Sequence, residues 1–243
     1  MYFIRKDKTM LETILSEGFQ TLGLDLDAQA LLRFRRYYDA LESQNRVMNL
    51  TAITGEADSA RLHFLDSAAL LTLAPFEGRR VIDVGTGAGF PGLALKIACP
   101  SLELTLLDSL DKRVRFLEGV CTDLGFTDVR CLHARAEEAP AELRESFDIA
   151  VSRAVARLNL LCELCLPFVR VGGVFLAMKG PGAAEETEEA RRAITALGGE
   201  LERVAAYAIP GTDTQHSAVI IRKTRPTPGT YPRRWAQIKK QPL

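Results

Sequence analysis

The chain contains 243 residues, of which 47% are apolar and 26% charged, so it is long enough to bury a core without disulfides or metals. Lysine and arginine total 31, as do aspartate and glutamate, and the formal net charge is zero. This balance excludes a uniformly cationic nucleic-acid binder and a uniformly acidic, disordered chain.

The first part of the chain, residues 1–78, is predicted to be a helical cap. Apolar residues recur at three-to-four spacing in residues 10–22 and 27–41, where Asp27 is a good N-cap. A third helical stretch begins near Thr54 and ends before Pro75.

Beyond the cap, short apolar or β-branched runs alternate with helical stretches. This alternation predicts a mostly parallel sheet covered on both faces, and two last runs joined through Pro210-Gly211 predict a terminal antiparallel hairpin. The seven predicted strands are residues 81–85, 102–108, 129–134, 147–152, 173–179, 200–208 and 217–223, and the helices are residues 91–98, 111–124, 157–169 and 183–197.

The last segment, residues 225–243, is rich in proline and basic residues, so we expect it to be extended and mobile until it binds a partner. Residues 204–243 hold seven bases and one acid, whereas residues 1–203 carry the acidic excess. Arg233 and Arg234 are therefore candidates for contact with nucleic-acid phosphates.

We expect neither export nor membrane insertion. The N-terminal stretch is charged from Arg5 to Lys8, and no apolar run has the length of a signal peptide or a membrane span. Five cysteines, an odd number, indicate reduced thiols in a cytoplasmic protein. Cys162 and Cys165 form a single CxxC in an apolar helical run, so we interpret them as core residues and predict no metal site.

A glycine-rich loop, residues 85–92, follows the first strand and opens a helix. Its glycines allow positive φ angles and a close approach of ligand to backbone. Gly87, Gly89 and Gly92 fit the G-x-G-x-x-G pattern of dinucleotide sites, so an NAD-dependent oxidoreductase is one interpretation.

Two residues favour S-adenosylmethionine over NAD. Pro91 removes an N–H at the helix start, where a pyrophosphate would need it. Asp83 places negative charge beside the loop, which disfavours a diphosphate and attracts an ammonium group. S-adenosylmethionine has no phosphate and carries an ammonium and a sulfonium, so the pattern Asp83-x-Gly85-x-Gly87-x-Gly89 suits it.

Polar residues at the next strand ends complete the predicted pocket, because ligands of open α/β sheets bind at the carboxyl ends of strands. Asp108 can accept hydrogen bonds from ribose hydroxyls or cap the following helix, and Ser109 is a further polar group. Ala136 and Glu137 either meet the adenine edge with an N–H and a carboxylate or form an ordinary loop.

Seven short stretches, in order over about 130 residues, carry a resemblance to a known family. They are Asn49-Leu50-Thr51, HFLDS at 63–67, VIDVGTGAGFPG at 81–92, LLDSLDKRVRFL at 106–117, Ala136-Glu137, Ser152-Arg153-Ala154 and Lys179-Gly180. With them the chain resembles the bacterial 16S ribosomal RNA guanine-N7 methyltransferases, a family also called glucose-inhibited division protein B. It departs from the family in the tail, where Tyr231-Pro232-Arg233-Arg234 is followed by Trp235-Ala236-Gln237-Ile238.

The resemblance implies a class I S-adenosylmethionine-dependent methyltransferase, with a Rossmann-like domain at residues 79–224 behind the helical cap. It implies transfer to N7 of guanine 527 in 16S rRNA, so the expected partner is 16S rRNA or the small ribosomal subunit. We expect a monomer. The cofactor contacts that it implies are Gly85, Phe90, Asp108, Ser109, Ala136, Glu137 and Arg153.

Attack by guanine N7 requires no general base, since N7 has a lone pair and no proton. The enzyme must align the nucleophile, methyl and sulfur. Arg153, after the fourth strand, is the candidate catalytic residue, because its guanidinium can bind the methionine carboxylate or guanine O6. The alternative for Arg153 is a surface arginine at a helix start.

Three further residues are candidates for contact with RNA. His63 and Asp66, three apart on a predicted helix, either line the target pocket or hydrogen-bond the cap to the sheet. Lys179 contacts RNA phosphate or is exposed. The helix face with Arg36 and Tyr37 either stacks on RNA or is solvated.

Three other functions remain open at this point. A small-molecule methyltransferase shares the cofactor loop but has no use for a basic tail, and an NAD-dependent oxidoreductase shares the glycine pattern. A catalytically silent protein would bind RNA without transferring a methyl group.

Overall fold

The computed structural model describes residues 8–243, and residues 5–7 of the charged N-terminal stretch lie outside the described residues. From Met10 to Thr72 the chain is mostly helical, as predicted. Its third helical stretch, 56–72, contains a π-helical section that the sequence pattern does not indicate. The elements are α1 (Met10–Leu22), α2 (Ala28–Met48), α3 (Glu56–Asp58), a π-helix (Ser59–Leu65), α4 (Asp66–Ala68) and a 3₁₀-helix (Ala69–Thr72).

Capping residues explain where the first two helices begin. Thr9 and Glu12 form a capping box, in which the Glu12 N–H donates to Thr9 Oγ1 at 3.3 Å and the Thr9 N–H donates to Glu12 Oε2 at 2.9 Å. Asp27 Oδ1 accepts from the Ala30 N–H at 2.6 Å, which confirms the predicted N-cap.

A seven-stranded sheet lies behind these helices, in the order β3-β2-β1-β4-β5-β7-β6. The first five strands run parallel, and β7 is antiparallel to both β5 and β6. The predicted fold, a mostly parallel sheet with a terminal antiparallel hairpin, is confirmed. The strands are β1 (Arg80–Val84), β2 (Glu103–Asp108), β3 (Val129–His133), β4 (Phe147–Arg153), β5 (Val169–Lys179), β6 (Gly199–Ala208) and β7 (Gln215–Lys223).

Alternate strand residues enter two buried clusters on opposite faces of the sheet. Val81 packs with the cap, whereas its neighbour Ile82 packs with the helices of the other face. The predicted helix at 157–169 is shorter than expected, since a 3₁₀-helix follows it and β5 already begins at Val169. No helix within residues 8–243 is long and apolar enough to cross a membrane. The remaining helices before β6 are α5 (Gly92–Ala98), α6 (Asp111–Asp123), α7 (Leu158–Cys165), α8 (Ala183–Glu189) and α9 (Arg191–Ala196).

The C-terminal segment is folded, so the prediction of an extended chain from Arg225 is wrong. Its last helix, α10 (Trp235–Lys240), packs against α7, and Ile238 is fully buried. Arg144 also donates to the main-chain oxygens of Tyr231, at 2.7 Å, and Thr227, at 2.6 Å. These anchors outweigh the extended preference of a proline-rich composition.

Candidate functional site

A cleft of about 1190 Å³ opens at the carboxyl ends of the parallel strands, between the sheet and the cap. A smaller cavity of about 280 Å³ adjoins it, and Gly85, Asp108 and Ser109 line both. The structure brings most of the predicted site residues together here. Those lining the cleft or the cavity are His63, Asp66, Gly85, Gly87, Phe90, Asp108, Ser109, Ala136, Glu137, Arg153 and Lys179.

The loop between β1 and α5 places backbone against the cleft. Gly85 has φ 72°, and a Cβ there would lie 2.5 Å from Val155 Cγ2. Gly87 has φ 62°, and a Cβ there would meet no atom within 4 Å. Gly89 also has positive φ, and a Cβ there would collide with the Tyr37 hydroxyl. Gly87 thus faces the space that a ligand can fill, while Gly89 allows the cap to pack on the loop.

Asp83 has a different place from the one predicted. It is fully buried and lines neither the cleft nor the smaller cavity, and its Oδ2 accepts from Thr86 Oγ1 at 2.7 Å and the Gly92 N–H at 2.8 Å. Burial raises the pKa of Asp83 to about 6, against the opposing effect of these hydrogen bonds. Asp83 therefore ties the loop to the start of α5 rather than presenting a carboxylate to a ligand.

The loop also has no free donors for a pyrophosphate at the start of α5. Pro91 has no N–H, the Gly92 N–H binds Asp83, and the Leu93 N–H donates to the Gly89 carbonyl at 2.9 Å. The Phe90 N–H donates to the Thr86 carbonyl. Since a dinucleotide is held by such N–H groups, the helix start is unsuited to NAD.

Asp108 lies at the end of β2, beside the glycine loop, as predicted. Its Oδ2 accepts from the Gly87 N–H and its Oδ1 from the Leu110 N–H, each at 2.9 Å. Arg113 Nη1 lies 3.4 Å from Oδ2. The carboxylate organises the turn into α6, and Oδ1 keeps a second lone pair for a ribose hydroxyl.

The smaller cavity combines apolar walls with a polar edge. Val84, Leu107 and Leu164 supply apolar surface, and the 3₁₀-helix Ala136–Glu138 lies at the edge, where the first N–H groups of a helix lack intrahelical partners. Trp235 of α10 lines the same cavity, which the sequence pattern does not indicate.

Arg153 joins the end of β4 to the cap. Its Nη1 donates to the Leu62 carbonyl at 2.9 Å and to Asp66 Oδ2 at 3.2 Å, and its Nη2 lies 2.9 Å from His63 Nδ1. The guanidinium also lies over the Phe90 ring, 5.0 Å from its centroid. Arg153 lines the cleft as predicted, but most of its donors bind the cap.

His63 is a neutral member of this network. Its ring stacks on Phe90 with centroids 4.2 Å apart, and Nε2 lies 2.9 Å from Thr51 Oγ1. Burial, with a smaller effect of the Arg153 charge, lowers the pKa of His63 to about 3. Since Arg153 is always a donor, Nδ1 accepts and Nε2 carries the proton toward Thr51.

Asp66 is the centre of the network. Its Oδ1 accepts from the Tyr207 hydroxyl of β6 and from His216 Nδ1 of β7, each at 2.9 Å, and Oδ2 accepts from Arg153. The hydrogen bond to Asp66 raises the pKa of His216. His63 and Asp66 therefore hydrogen-bond the cap to the sheet, which is one of the two predicted roles, and they also line the cleft; their place in the target pocket stays a prediction.

Two of the predicted RNA contacts are occupied by ion pairs instead. Lys179 Nζ lies 2.8 Å from Glu186 Oε2 and donates to the Ala156 carbonyl at 2.7 Å. Arg233 lines neither cavity and binds Glu163, with Nε–Oε1 at 2.8 Å and Nη2–Oε2 at 2.6 Å. Glu163 is buried and would otherwise stay unpaired, which explains the departure at Arg233. Glu186 is only half-buried and also accepts from the Leu158 N–H at 2.8 Å, so it holds Lys179 as part of a local network. Arg234 is exposed, as an RNA contact requires.

The burial of Tyr37, Cys162 and Cys165 tests two other predictions. Tyr37 is fully buried, stacks on Phe90 and donates to the Ala88 carbonyl, so the prediction that it stacks on RNA is wrong. Cys162 and Cys165 are fully buried in the core, as predicted.

The residues of the cleft fit S-adenosylmethionine. The open face at Gly87, the carboxylate of Asp108 between the two cavities and an apolar pocket with a polar edge suit an amino-acid chain, a ribose and a flat ring, respectively. Together with the sheet order, they define the class I methyltransferase fold. A solved S-adenosylmethionine-dependent methyltransferase from Aquifex aeolicus shares this fold, with a TM-score of 0.50 and 19% identity over 65% of this chain and 89% of that one.

The particular family follows from sequence comparison. The family model described as rRNA small subunit methyltransferase G matches residues 30–216. The ribosomal RNA small subunit methyltransferase G of Alkaliphilus metalliredigens is 47% identical over 233 residues, covering 95% of this chain and 98% of the relative. That of a Geobacillus species is 44% identical and covers 98% and 99%. The chain belongs to the rRNA small subunit methyltransferase G family, which confirms the resemblance.

Proposed function

We propose that this protein transfers a methyl group from S-adenosylmethionine to N7 of a guanine in 16S rRNA, guanine 527, and that it acts in the cytoplasm as a monomer. The observation that carries this proposal is the cleft itself. A cofactor side built from Gly87 and Asp108 adjoins an acceptor side built from His63, Asp66 and Arg153. The names of the relatives support ribosomal RNA as the substrate.

The cofactor side of the cleft has a distinct task for each group. The sulfonium of bound S-adenosylmethionine supplies an electrophilic methyl group. Asp108 accepts from the ribose hydroxyls, and the backbone at Gly85 and Gly87 holds the methionine chain close to the strand ends. Ser109 and the turn at Ala136–Glu138 bind the polar edge of the base.

The acceptor side suits a nucleophile that has no proton to lose. His63 is neutral, and both of its ring nitrogens already have partners in Thr51 and Arg153, so it is unavailable as a general base. Asp66 already accepts three hydrogen bonds. The network therefore orients groups instead of removing protons, as attack by guanine N7 requires.

Arg153 is the group that we assign to orientation of the reactants. Three of its five N–H donors bind Leu62, Asp66 and His63, and no partner within residues 8–243 binds the other two. These donors bind the methionine carboxylate or guanine O6, the acceptor beside N7.

Exposed basic residues of the C-terminal segment contact the RNA phosphates in this proposal. Arg234, Lys239 and Lys240 are exposed, whereas Arg233 is held by Glu163. Such contacts supply most of the affinity for RNA and little sequence preference, so the rest of the recognition falls to the cleft.

Methyl transfer to ribosomal subunits tests the proposal. The protein is incubated with S-adenosylmethionine labelled in the methyl group and with small subunits that lack the native modification. We expect about one methyl per subunit, at guanine 527, mapped by strand cleavage at N7-methylguanine. Cofactor binding by calorimetry without transfer to this RNA contradicts the proposal, as does a methyl group at another nucleotide.

A matched pair of glycine variants controls this experiment. In Gly87→Ala the new methyl group enters the open face of the cleft at a positive φ, so we expect transfer to fall at least about 10-fold. Gly119→Ala, on α6, places a methyl group where no atom lies within 4 Å and should keep the rate. Equal rates in the two variants contradict the assigned role of the loop.

A further inference from the structure

The smaller cavity has one wall from an unexpected part of the chain. Val84, Leu107 and Val155 come from or follow the strand ends, as in any open α/β site, and Leu164 comes from α7. Trp235 comes from α10, beyond the last strand of the sheet. A segment outside the nucleotide-binding part of the fold therefore completes this cavity.

The segment that carries Trp235 is anchored on both sides of this residue. Two residues before it, Arg233 binds Glu163 through its guanidinium and also through its main-chain N–H, which donates to Oε1 at 2.8 Å. Three residues after it, Ile238 is fully buried. Glu163 precedes Leu164 on α7, so consecutive residues of one helix supply the anchor of the segment and a wall of the cavity.

The chemistry of the cavity favours a flat heteroaromatic ring. Most of its lining is apolar, Arg135 and the turn at Ala136–Glu138 add polar groups, and Asp108 lies where the cavity joins the larger cleft. An indole adds a large planar face that stacks on nucleobases with little dependence on their identity. A ribose bound at Asp108 would place its base in this cavity.

We propose that Trp235 contacts the adenine ring of the cofactor, and that the C-terminal segment is thereby part of the cofactor site. The inference rests on the proposed function for the identity of the cofactor. In it, Arg233 and Glu163 are positioning residues, which fix the indole and touch neither cofactor nor RNA. The segment thereby carries both the adenine contact of Trp235 and the exposed lysines Lys239 and Lys240.

Intrinsic fluorescence tests the proposal without any substitution, because Trp235 is the only tryptophan of the chain. S-adenosylmethionine, adenosine and methionine are titrated separately, and calorimetry follows the first ligand in parallel. We expect S-adenosylmethionine and adenosine to quench or shift the emission, because a stacked base changes the surroundings of the indole. Methionine should leave the emission unchanged.

Three variants give the size of the contact. Trp235→Ala should weaken S-adenosylmethionine binding about 10-fold, as loss of a base-stacking aromatic does, and Trp235→Phe should stay within about threefold of the parent. Gln237→Ala is the matched control, since this exposed α10 residue makes only main-chain hydrogen bonds and lines neither cavity.

The outcomes separate this inference from the proposed function. If calorimetry detects S-adenosylmethionine while the emission is unchanged and Trp235→Ala binds as the parent does, the adenine contact is wrong and the proposed function stands. If calorimetry detects no S-adenosylmethionine, the proposed function is overturned and this inference with it. If emission and binding respond as expected but ribosomal RNA receives no methyl group, only the proposed substrate is wrong.

Discussion

Two buried carboxylates each hold an arginine from a distant part of the chain, and they do so in different ways. Asp66, in the cap, divides its oxygens among Arg153, Tyr207 and His216. Glu163, in α7, gives both oxygens to Arg233 alone, with bonds to the guanidinium and to the main-chain N–H.

Because of this difference, Asp66 connects residues of the cleft, whereas Glu163 anchors the C-terminal segment. The partners of Asp66 come from three strands, and two of them, Arg153 and His216, also line the open cleft. A change at Asp66 therefore reaches three strands, two of which contribute these cleft residues. Glu163 is satisfied by Arg233, so a change there reaches the C-terminal segment and, through Trp235, one wall of the smaller cavity. Both carboxylates are desolvated and depend on their partners, but only the network of Asp66 lines the larger cleft.

The largest effect is expected for Asp66→Ala. The variant leaves the donors of Arg153, Tyr207 and His216 without their acceptor, which should lower the free energy of unfolding by about 3 kcal/mol. Displacement of Arg153 should reduce methyl transfer about 100-fold, because small errors in alignment have large effects on rate. Urea denaturation and the transfer assay measure the two effects. If the variant is destabilised but keeps the methyl-transfer rate of the parent, the network around Asp66 has only a structural role.

A smaller and more local effect is expected for Arg233→Met. It leaves Glu163 buried without a partner and should lower the free energy of unfolding by about 3 kcal/mol, while cofactor binding weakens only a fewfold. Combining it with Glu163→Leu removes the unpaired charge and should restore most of the stability.

The corresponding double variant at the other carboxylate sharpens the comparison. Asp66→Leu with Arg153→Met also removes both charges, yet it removes the guanidinium that we assign to orienting the reactants, and Tyr207 and His216 still lose their acceptor, so transfer should stay low. Recovery of transfer in this variant, measured beside the recovery of stability at Glu163, would show that the two carboxylates play the same part.

Local patterns made most of the fold predictable. Strand alternation placed all seven strands, because the periodicity of buried residues lies within each segment. The places of the glycine loop and Asp108 were also predictable from the sequence, since the strand ends of an open sheet converge at one edge. Tyr207 and His216 were missed because they meet Asp66 across 141 and 150 residues, a contact with no local signature.

The predictions for the C-terminal segment and for Asp83 were wrong for the same physical reason. Proline and basic residues indicate an extended chain, and partners far away in the sequence, Arg144 and the buried Glu163, reverse that preference. The charge of Asp83 suggested a ligand contact, but the sequence gives no sign that Thr86 and the start of α5 take up its carboxylate. In both cases the structure depends on the partners of charged groups, and local composition does not reveal these partners.

Acid pH separates the two carboxylates in a further way, because Asp66 binds His216 and shares Arg153 with His63, whereas the side chain of Glu163 binds only Arg233 among residues 8–243. Between pH 6.5 and about 3 the unfolded chain binds a proton at His63 that the folded protein does not, so the free energy of unfolding should rise with pH across this window. His216 has the opposite effect, because its pKa is raised in the folded protein. Its contribution to the free energy of unfolding is fully present below the ordinary pKa of histidine and is lost as the pH rises through the pKa of the folded state.

His63→Gln isolates the first contribution. Urea denaturation at intervals from pH 4 to 7 should show a shallower acid loss than in the parent, with a difference that approaches about 1.4 kcal/mol per pH unit where only the unfolded chain is protonated. His133→Gln replaces an exposed imidazole outside the network and serves as the control. An unchanged slope in His63→Gln would mean that His63 has the same pKa in the folded and the unfolded chain, and is therefore protonated in the folded protein at acid pH. Its Nδ1 would then be unable to accept from Arg153, and the orientation of that guanidinium would need another cause.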